Sequence, residues 1–404
     1  MTRPHRHGPA AVPVVSATAP GPSPRVLAPL YAAGFTTAFG AHSIAAGLGA
    51  ESGGIGLGLL TFGLLLALYD AAEVVLKPLF GSLSDKIGAK PVIVAGLAAF
   101  SLASLIGTLG TTPLILGLAR LGQGAAASAF SPASSAAVAR LAGPAAAGSY
   151  FGKYGSWKGL GYVLGPLLGA ALIWVGGFPA LFLAMAVISA AAAAWTWVAM
   201  PHLPVLPRRR YTVADLVRQS TERSFLLPTL ALAAATGALG VAVGFLPLLG
   251  TSLQLPLVGS MAVVALLALS STLTQPLVGR LRDRGRISSR AGMGWGLALV
   301  VAGIALLALA PMPATLCAAA VLIGSGIGIT TPLGFAHLAA TTPPERMGRT
   351  MGTAELGREI GDAGGPLIVG AIATAMSLAA GLGALALLVA IVAVLCTVLL
   401  RPRP

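Results

Sequence analysis

Long apolar runs restrict the possible folds of this 404-residue sequence more than any other feature. Hydrophobic residues make up 56% of the chain and charged residues only 9%, whereas soluble proteins average roughly 25% charged residues. A run of about 20 mostly apolar residues is long enough to cross the hydrocarbon core of a bilayer as a helix. The sequence therefore predicts an all-α polytopic membrane protein and argues against a soluble enzyme.

Breaks at Gly/Pro clusters and at charges divide the sequence into twelve candidate membrane spans. The spans lie at approximately 26–48, 56–81, 90–110, 113–140, 148–175, 178–200, 225–250, 255–280, 290–310, 313–340, 347–374 and 377–400. We expect a disordered cytoplasmic tail at 1–25, a six-helix half at 26–200, a cytoplasmic linker at 201–224 and a second six-helix half at 225–404.

Basic residues occur in only one of the two alternating sets of loops. That set holds Arg3, Arg6, Arg25, Lys86, Lys90, Arg140, Arg208, Arg209, Arg210, Arg218, Arg223, Arg280, Arg282, Arg284, Arg286, Arg290, Arg346, Arg349, Arg401 and Arg403. The opposite loops carry a single charge, at Glu51. Because Lys and Arg favour cytoplasmic loops, the pattern places both termini in the cytoplasm of a multi-pass inner or plasma membrane protein.

The net charge of +14 is thus explained by topology, and we expect no nucleic-acid partner. The sequence shows no nucleophile motif and no phosphate-binding loop. Its two cysteines lie inside apolar runs, and they offer no spacing typical of a metal site. We therefore expect neither an enzyme nor a bound metal or cofactor, with a proton gradient as the energy source.

An internal repeat links the two predicted halves. At an offset of 200 residues the fifth and eleventh spans match at Gly148/Gly348, Gly152/Gly352, Gly161/Gly361, Gly165/Gly365 and Pro166/Pro366. Upstream, Gly124 and Pro132 match Gly324 and Pro332 at the same offset. Lys158 matches Arg358, and around the second and eighth spans Asp85 matches Asp283 at an offset of 198. Parallel repeats of this kind are typical of secondary transporters.

Three motifs resemble those of the major facilitator superfamily. The first, GSLSDKIGAK (81–90), resembles that family's loop signature Gly-x-Leu-x-Asp-Arg-x-Gly-Arg-Lys and retains Gly81, Leu83, Asp85, Gly88 and Lys90. The second, LARLGQGAAASA (118–129), resembles a fourth-span pattern of proton-coupled members through Arg120, Gln123 and Gly124.

The third motif, GYVLGPLLGA (161–170), resembles the fifth-span antiporter pattern. It retains Gly161, Gly165, Pro166 and Gly169, whereas Ala170 replaces a final glycine. The resemblance covers the chain after residue 25 and implies a drug or metabolite exporter of the drug:proton antiporter branch. It also implies that Arg120 takes part in proton coupling.

The motif residues have physical roles of their own. Asp85 follows the second span, where its carboxylate can accept hydrogen bonds from a helix N-terminus or pair with arginine and so latch the two halves together. Its repetition at Asp283 favours this role over that of a solvated loop charge. The spacing of Gly161, Gly165 and Gly169 predicts close helix packing on one face.

Ten charges lie inside the predicted spans, where a charge is a functional hypothesis by default. They are Asp70, Glu73, Lys77, Arg120, Lys153, Lys158, Glu355, Arg358, Glu359 and Asp362. Asp70, Glu73 and Lys77 share one helix face, and Glu73 and Lys77 form a favourable i, i+4 pair. Asp70 or Glu73 could carry the coupled proton, with a structural ion pair as the alternative.

The other intramembrane charges suggest contacts between the halves. Arg120 could pair with Asp70 or Glu73. Lys158 could pair with Glu355, Glu359 or Asp362 across the halves, as a gate or as a fixed contact. Lys153 lies about 140° from Lys158 around its helix and so faces a different neighbour.

These observations favour a proton-coupled exporter of a small hydrophobic drug-like or metabolite molecule, acting by alternating access. The intramembrane bases Arg120, Lys153, Lys158 and Arg358 leave open an anion- or sugar-type metabolite carrier. A non-transporting membrane sensor is a third alternative, although it would not need the repeated motifs. The expected partners are the substrate, protons and the lipid bilayer, and we expect a monomer.

Overall fold

The computed structural model describes residues 24–51, 59–205 and 221–400. The predicted tail at 1–25 lies almost wholly outside these ranges, as does most of the predicted linker. The basic residues Arg3, Arg6, Arg208, Arg209, Arg210, Arg218, Arg401 and Arg403 are outside them too.

Each long element in the described part of the chain is a helix, numbered here in chain order. The first three helices are α1 (Pro24–Glu51), α2 (Leu59–Ile87) and α3 (Ala89–Gly107). Helices α7 to α12 follow the predicted linker and are α7 (Arg223–Ser252), α8 (Leu257–Asp283), α9 (Ser289–Leu309), α10 (Pro313–Thr341), α11 (Met347–Ala375) and α12 (Leu378–Leu399). A single helical run covers Pro113–Ala199, and non-helical backbone at Gly143, Gly176 and Gly177 divides it into α4 (113–142), α5 (144–175) and α6 (178–199). A 3-10 turn at Pro344–Arg346 precedes α11.

Seven of the helical runs in the described ranges are long and apolar enough to cross a membrane, with Pro113–Ala199 counted once. The charged helices α2 and α11 are not among these seven. The prediction of an all-α polytopic membrane protein is confirmed, and the helices occupy the positions of the predicted spans. The number of membrane crossings remains a prediction.

Buried apolar side chains form two clusters. One cluster centres on α1–α6 and includes Phe39, Phe100 and Phe130, with further side chains from α7, α10 and α11. The other lies among α7–α12 and includes Leu297 and Val300. The domain boundaries at 26–200 and 225–404 stay predictions.

The sequence repeat is reproduced in the helix packing. A Cβ atom at Gly161 would lie 2.8 Å from the Cβ of Ala38, and one at Gly169 would lie 2.8 Å from the Cβ of Ser43, so α5 packs closely on α1. In the second half, Gly361 and Gly365 bring α11 equally close to the backbone of α7. Small residues on one face let the helix backbones approach, as the glycine spacing predicts.

The turn after α2 requires the glycine at motif position 88, and the turn after α8 has a glycine of the same kind. Gly88 has φ of 95°, and Gly285, in the corresponding turn, has φ of 69°. Side chains with a Cβ rarely adopt these backbone angles. Gly88 therefore allows the sharp reversal from α2 into α3, where the buried Lys90 places its Nζ 5.6 Å from the centroid of Trp197.

Two glycines of α11 provide a matched test of this packing. A Cβ at Gly361 would overlap the backbone carbonyl of Ala233, whereas a Cβ at Gly364 would meet no atom within 4 Å. We expect Gly361→Ala to destabilise the protein by about 1–3 kcal/mol through overpacking. Gly364→Ala should stabilise it by up to about 1 kcal/mol through helix propensity. Thermal unfolding of the detergent-solubilised chain measures both, and a higher midpoint for Gly361→Ala would contradict the packing.

Candidate functional site

Lys77 on α2 lies at the centre of a buried group of charges. Its Nζ is 2.9 Å from a carboxylate oxygen of Glu73, 2.6 Å from one of Glu359 and 3.9 Å from one of Glu355. We call these four residues the lysine cluster. Because Glu355 and Glu359 belong to α11, the cluster joins the first half of the chain to the second.

Glu355, on α11, is held by residues of the first half. The hydroxyl of Ser131 donates to its carboxylate at 2.6 Å, and the hydroxyl of Ser135 donates to the other oxygen. Both serines are on α4, and the Glu355 side chain is only 1% exposed. A buried carboxylate is tolerated when it is paired and hydrogen-bonded, and Glu355 meets both conditions.

The lysine cluster differs in part from the predicted ion pairs. Glu73 and Lys77 form the predicted i, i+4 pair, but Lys77 also makes the contact between halves that was predicted for Lys158. In the described ranges no carboxylate oxygen lies within 4.0 Å of the Lys158 Nζ. The reason is positional: Lys77 is beside the acids of α11, while Lys158 faces a cavity.

Arg120 and Lys153 also have surroundings that the sequence did not predict. The Arg120 guanidinium lies 4.3 Å from the centroid of the Tyr69 ring, and its Nε donates to the carbonyl of Leu65 at 3.4 Å. The described part of the chain has no carboxylate within 4.0 Å of it, so the expected pair with Asp70 or Glu73 is not formed. Lys153 is exposed on the outer face of α5, away from the other candidates.

A central cavity of about 50 Å³ lies between the two halves. It is lined by Phe151, Tyr154, Gly155, Lys158, Gly159, Tyr162, Thr236, Leu239, Leu267, Ala268, Ser271, Gln275, Ile327, Thr331, Phe335, Glu355 and Arg358. The rings of Phe151 and Phe335 stack with their centroids 5.4 Å apart. Of the sequence candidates, the cavity brings together Lys158, Glu355 and Arg358, whereas Asp70 is exposed and Asp362 is half-buried outside its lining.

Two aspartates connect the halves at one end of the molecule. Asp85, near the end of α2, accepts hydrogen bonds from the backbone N–H groups of Gly348 and Arg349, at 2.7 and 2.9 Å. These N–H groups belong to the first turn of α11, where backbone donors are unsatisfied by the helix itself and favour an anion.

Asp283, near the end of α8, does the same for α5. It accepts from the N–H groups of Gly148 and Ser149 at 2.9 and 2.6 Å, and the adjacent Arg282 side chain lies 3.0 Å from it. We call Asp85 and Asp283, with their backbone donors, the paired latches, and their end of the molecule the arginine-rich end.

The motif glycines allow these latches to close. A Cβ at Gly81 would lie 2.5 Å from the carbonyl oxygen of Gly348, and Gly279 is in equally close contact with Gly148. Gly124 faces the backbone of Tyr69, which brings α4 against α2. Pro166 lies within α5 between the glycines that contact α1.

Sequence reasoning named Lys77 but paired it only with Glu73, and it did not single out Ser131 or Ser135. The serines carry a detectable signal, because two hydroxyls spaced i, i+4 share a helix face in an otherwise apolar span. The contact of Lys77 with α11 has no such signal, because its partner Glu359 is 282 residues away.

Sequence comparison identifies the family. The family model described as Major Facilitator Superfamily matches residues 30–288 and 229–404. A chloramphenicol resistance protein of Pseudomonas aeruginosa is 30% identical over 312 residues, which cover 73% of this chain and 71% of that protein. The chain therefore belongs to the major facilitator superfamily.

Other relatives match over shorter stretches. The multidrug resistance protein MdtG of Erwinia billingiae is 32% identical over 34% of each chain. A triacylglyceride transporter of Mycolicibacterium smegmatis is 36% identical over 26% of this chain, and the match spans 19% of that protein. The chain thus aligns with about a third or less of the length of these two relatives.

Solved structures have the same fold. The human organic anion transporter MFSD10 superposes with a TM-score of 0.78 at 19% identity and covers 93% of this chain and 100% of that one. A variant of the Escherichia coli fucose:proton symporter FucP superposes with a TM-score of 0.75 at 15% identity, over 93% of this chain and 98% of that one. The similarity is one of fold.

The paired latches predict the effect of removing their charges. Hydrogen bonds to a charged group contribute about 1.5–3 kcal/mol each. We expect Asp85→Asn to raise the population of a form open at the arginine-rich end by about tenfold, and Asp85→Asn with Asp283→Asn to raise it further. Nitroxide labels at Lys86→Cys and Glu345→Cys, in a chain without Cys317 and Cys396, report the opening as a longer inter-label distance.

The control for this experiment is Glu222→Gln, which removes an exposed carboxylate. It should leave the distance distribution unchanged. Distributions that are identical in the double latch variant and the unmodified chain would show that the latches do not hold this end closed.

Proposed function

We propose that this chain is a secondary active transporter that exports small hydrophobic drug-like or metabolite molecules in exchange for protons. The observation that carries the proposal is the buried contact of Lys77 on α2 with Glu359 on α11, at 2.6 Å. This ion pair links the halves, and a proton on one carboxylate would weaken it.

Loss of this ion pair on protonation would change the free energy enough to shift the arrangement of the two halves. Removing one partner of a buried ion pair costs about 3–5 kcal/mol. Since 1.4 kcal/mol corresponds to a factor of ten, protonation of Glu73 or Glu359 could shift the equilibrium between two arrangements of the halves by a factor of about 10² to several thousand. Asp70 and Asp362, which are less buried, are candidates for passing the proton on.

Glu355 provides a route from the proton to the substrate. Its carboxylate is 3.9 Å from the Lys77 Nζ, and its side chain also lines the central cavity. A molecule in the cavity would therefore change the surroundings of the same carboxylate that helps to hold Lys77. Binding of substrate and of proton would then bias the same contact between the halves.

The cavity and the latches support alternating access. A volume of about 50 Å³ holds only a few water molecules, so a drug-sized molecule enters only when the halves move apart. We propose that the paired latches open and close on the cytoplasmic side, with both chain termini on that side of the cell membrane and the protein acting as a monomer.

The proton gradient is a sufficient energy source. A membrane potential of 100 mV contributes about 2.3 kcal/mol per charge. One proton per substrate could thus support a concentration ratio of roughly fifty. The names of two relatives, a chloramphenicol resistance protein and a multidrug resistance protein, support export as the direction of transport.

Inverted membrane vesicles provide the test. With an imposed proton gradient followed by a pH-sensitive dye, addition of chloramphenicol, tetracycline or another member of a chemically varied panel should dissipate the gradient. Glu359→Gln and Glu73→Gln should lower the rate at least tenfold, because each removes a carboxylate that contacts Lys77. Asp70→Asn tests the proposed relay and should slow dissipation as well.

Glu345→Gln is the matched control, because Glu345 is an exposed carboxylate outside the cluster. It should transport at the unmodified rate. Unchanged rates in both Glu359→Gln and Glu73→Gln, in a chain that dissipates the gradient, would contradict the assignment of proton coupling to the lysine cluster. Failure of every compound in the panel would count against proton antiport.

A further inference from the structure

The carboxylates of the site are already occupied by partners within the protein. Glu73 and Glu359 contact the Lys77 Nζ at 2.9 and 2.6 Å. Glu355 accepts hydrogen bonds from the hydroxyls of Ser131 and Ser135. A positively charged substrate in the cavity would have to displace Lys77 or the serines to reach a carboxylate.

The cations beside the cavity contact no carboxylate in the described ranges, and the Arg358 side chain is hydrogen-bonded to Tyr162. Lys158 lines the cavity and is 7% exposed, and no carboxylate oxygen in the described ranges lies within 4.0 Å of its Nζ. Arg358 lines the same cavity at 7% exposure, and its buried Nε has no hydrogen-bond partner in the described ranges. A buried donor without a partner is destabilising, so both side chains would gain from an acceptor placed between them.

The charge balance of the lining has a definite sign. Lys158 and Arg358 contribute two positive charges and Glu355 one negative charge. A bound monoanion would neutralise this lining, whereas a bound cation would leave three positive charges against one. Behind the lining, Lys77, Glu73 and Glu359 add a net charge of −1, but they already contact one another. The preference for an anion therefore comes from the charged residues that reach the cavity, where electrostatic interactions are strong at low local dielectric.

The rest of the lining is apolar and aromatic. Phe151 and Phe335 stack beside the charged residues, and Leu239, Leu267 and Ile327 complete the wall. The Arg358 guanidinium carbon lies 5.9 Å from the centroid of the Phe335 ring. A charged group of a ligand could thus contact Arg358 while its aromatic part packs against Phe335 beside it.

We infer that the central cavity binds an amphipathic organic anion, with a carboxylate between Lys158 and Arg358 and an apolar or aromatic body against Phe151 and Phe335. The inference rests on the proposed transport function and names its substrate class. The cavity must widen to take the apolar body, because about 50 Å³ is less than the volume of an aromatic ring.

Three probes of one shape test the sign of the substrate charge. They are 2-naphthoate, 2-naphthamide and 2-naphthylmethylammonium, which are negative, neutral and positive. Equilibrium binding to the purified full chain, measured by displacement of radiolabelled 2-naphthoate and by calorimetry, requires no proton gradient. We expect the naphthoate to bind at least tenfold more tightly than either of the others.

Substitutions of Lys158 test whether the carboxylate of 2-naphthoate binds in the central cavity. Lys158→Met should weaken naphthoate binding at least tenfold, and Lys158→Arg, which keeps the charge, should retain affinity within about threefold. Lys153→Met is the matched control, because Lys153 is exposed on the same helix, and should bind as the unmodified chain does. The Lys158→Arg result shows that a loss in Lys158→Met reflects charge and not misfolding.

Several results would overturn the inference. These are tighter binding of the ammonium or the amide, naphthoate affinity that is equal in Lys158→Met and the unmodified chain, and binding of none of the three probes. Each can be distinguished from failure of the proposed function, because a chain that binds naphthoate as expected but does not dissipate a proton gradient would contradict proton antiport alone.

Discussion

A charge inside a membrane protein must be matched by groups of the protein itself, because neither lipid nor bulk water can stabilise it there. In this chain Lys77 satisfies that requirement by contacting carboxylates on α2 and α11 together. The interface between the halves is therefore held partly by an interaction whose strength depends on protonation. An apolar interface would have no such dependence, and the coupling that we propose derives from this difference.

The two halves are alike where they pack and different where they carry charge. The paired latches at Asp85 and Asp283 and the glycine contacts occur in both repeats. At the offsets of the repeat, however, Lys77 corresponds to Gln275, Glu355 to Gly155 and Glu359 to Gly159. The contact between α2 and α11 is thus charged, while the corresponding contact between α8 and α5 is neutral. Shared packing allows symmetric movement, and the buried ion pair of Lys77 is confined to one of the two interfaces.

Much of the architecture could be predicted because it depends on local patterns. Apolar length predicts helices, small residues every four positions predict close packing, and an aspartate just beyond a helix can accept from backbone donors. The ion pairs were harder to predict. The sequence placed Glu73 and Lys77 on one face, but it assigned the contact between halves to Lys158 and a carboxylate partner to Arg120. Helix periodicity gives the direction of a side chain on its own helix and leaves the neighbouring helix undetermined.

The sequence by itself determined that the chain is helical and membrane-embedded, that it is built from a repeat, and which charged residues lie within the long helices. It could do so because hydrophobicity, glycine spacing and helix capping act over a few residues. Only the tertiary structure decided how those charges divide. Lys77 lies with the acids of α11 and Glu355 with the serines of α4, while Lys158 and Arg358 line the cavity with no carboxylate oxygen within 4.0 Å in the part of the chain that the structure describes. That division depends on side chains more than 200 residues apart coming within about 3 Å, a proximity that arises only when the helices pack.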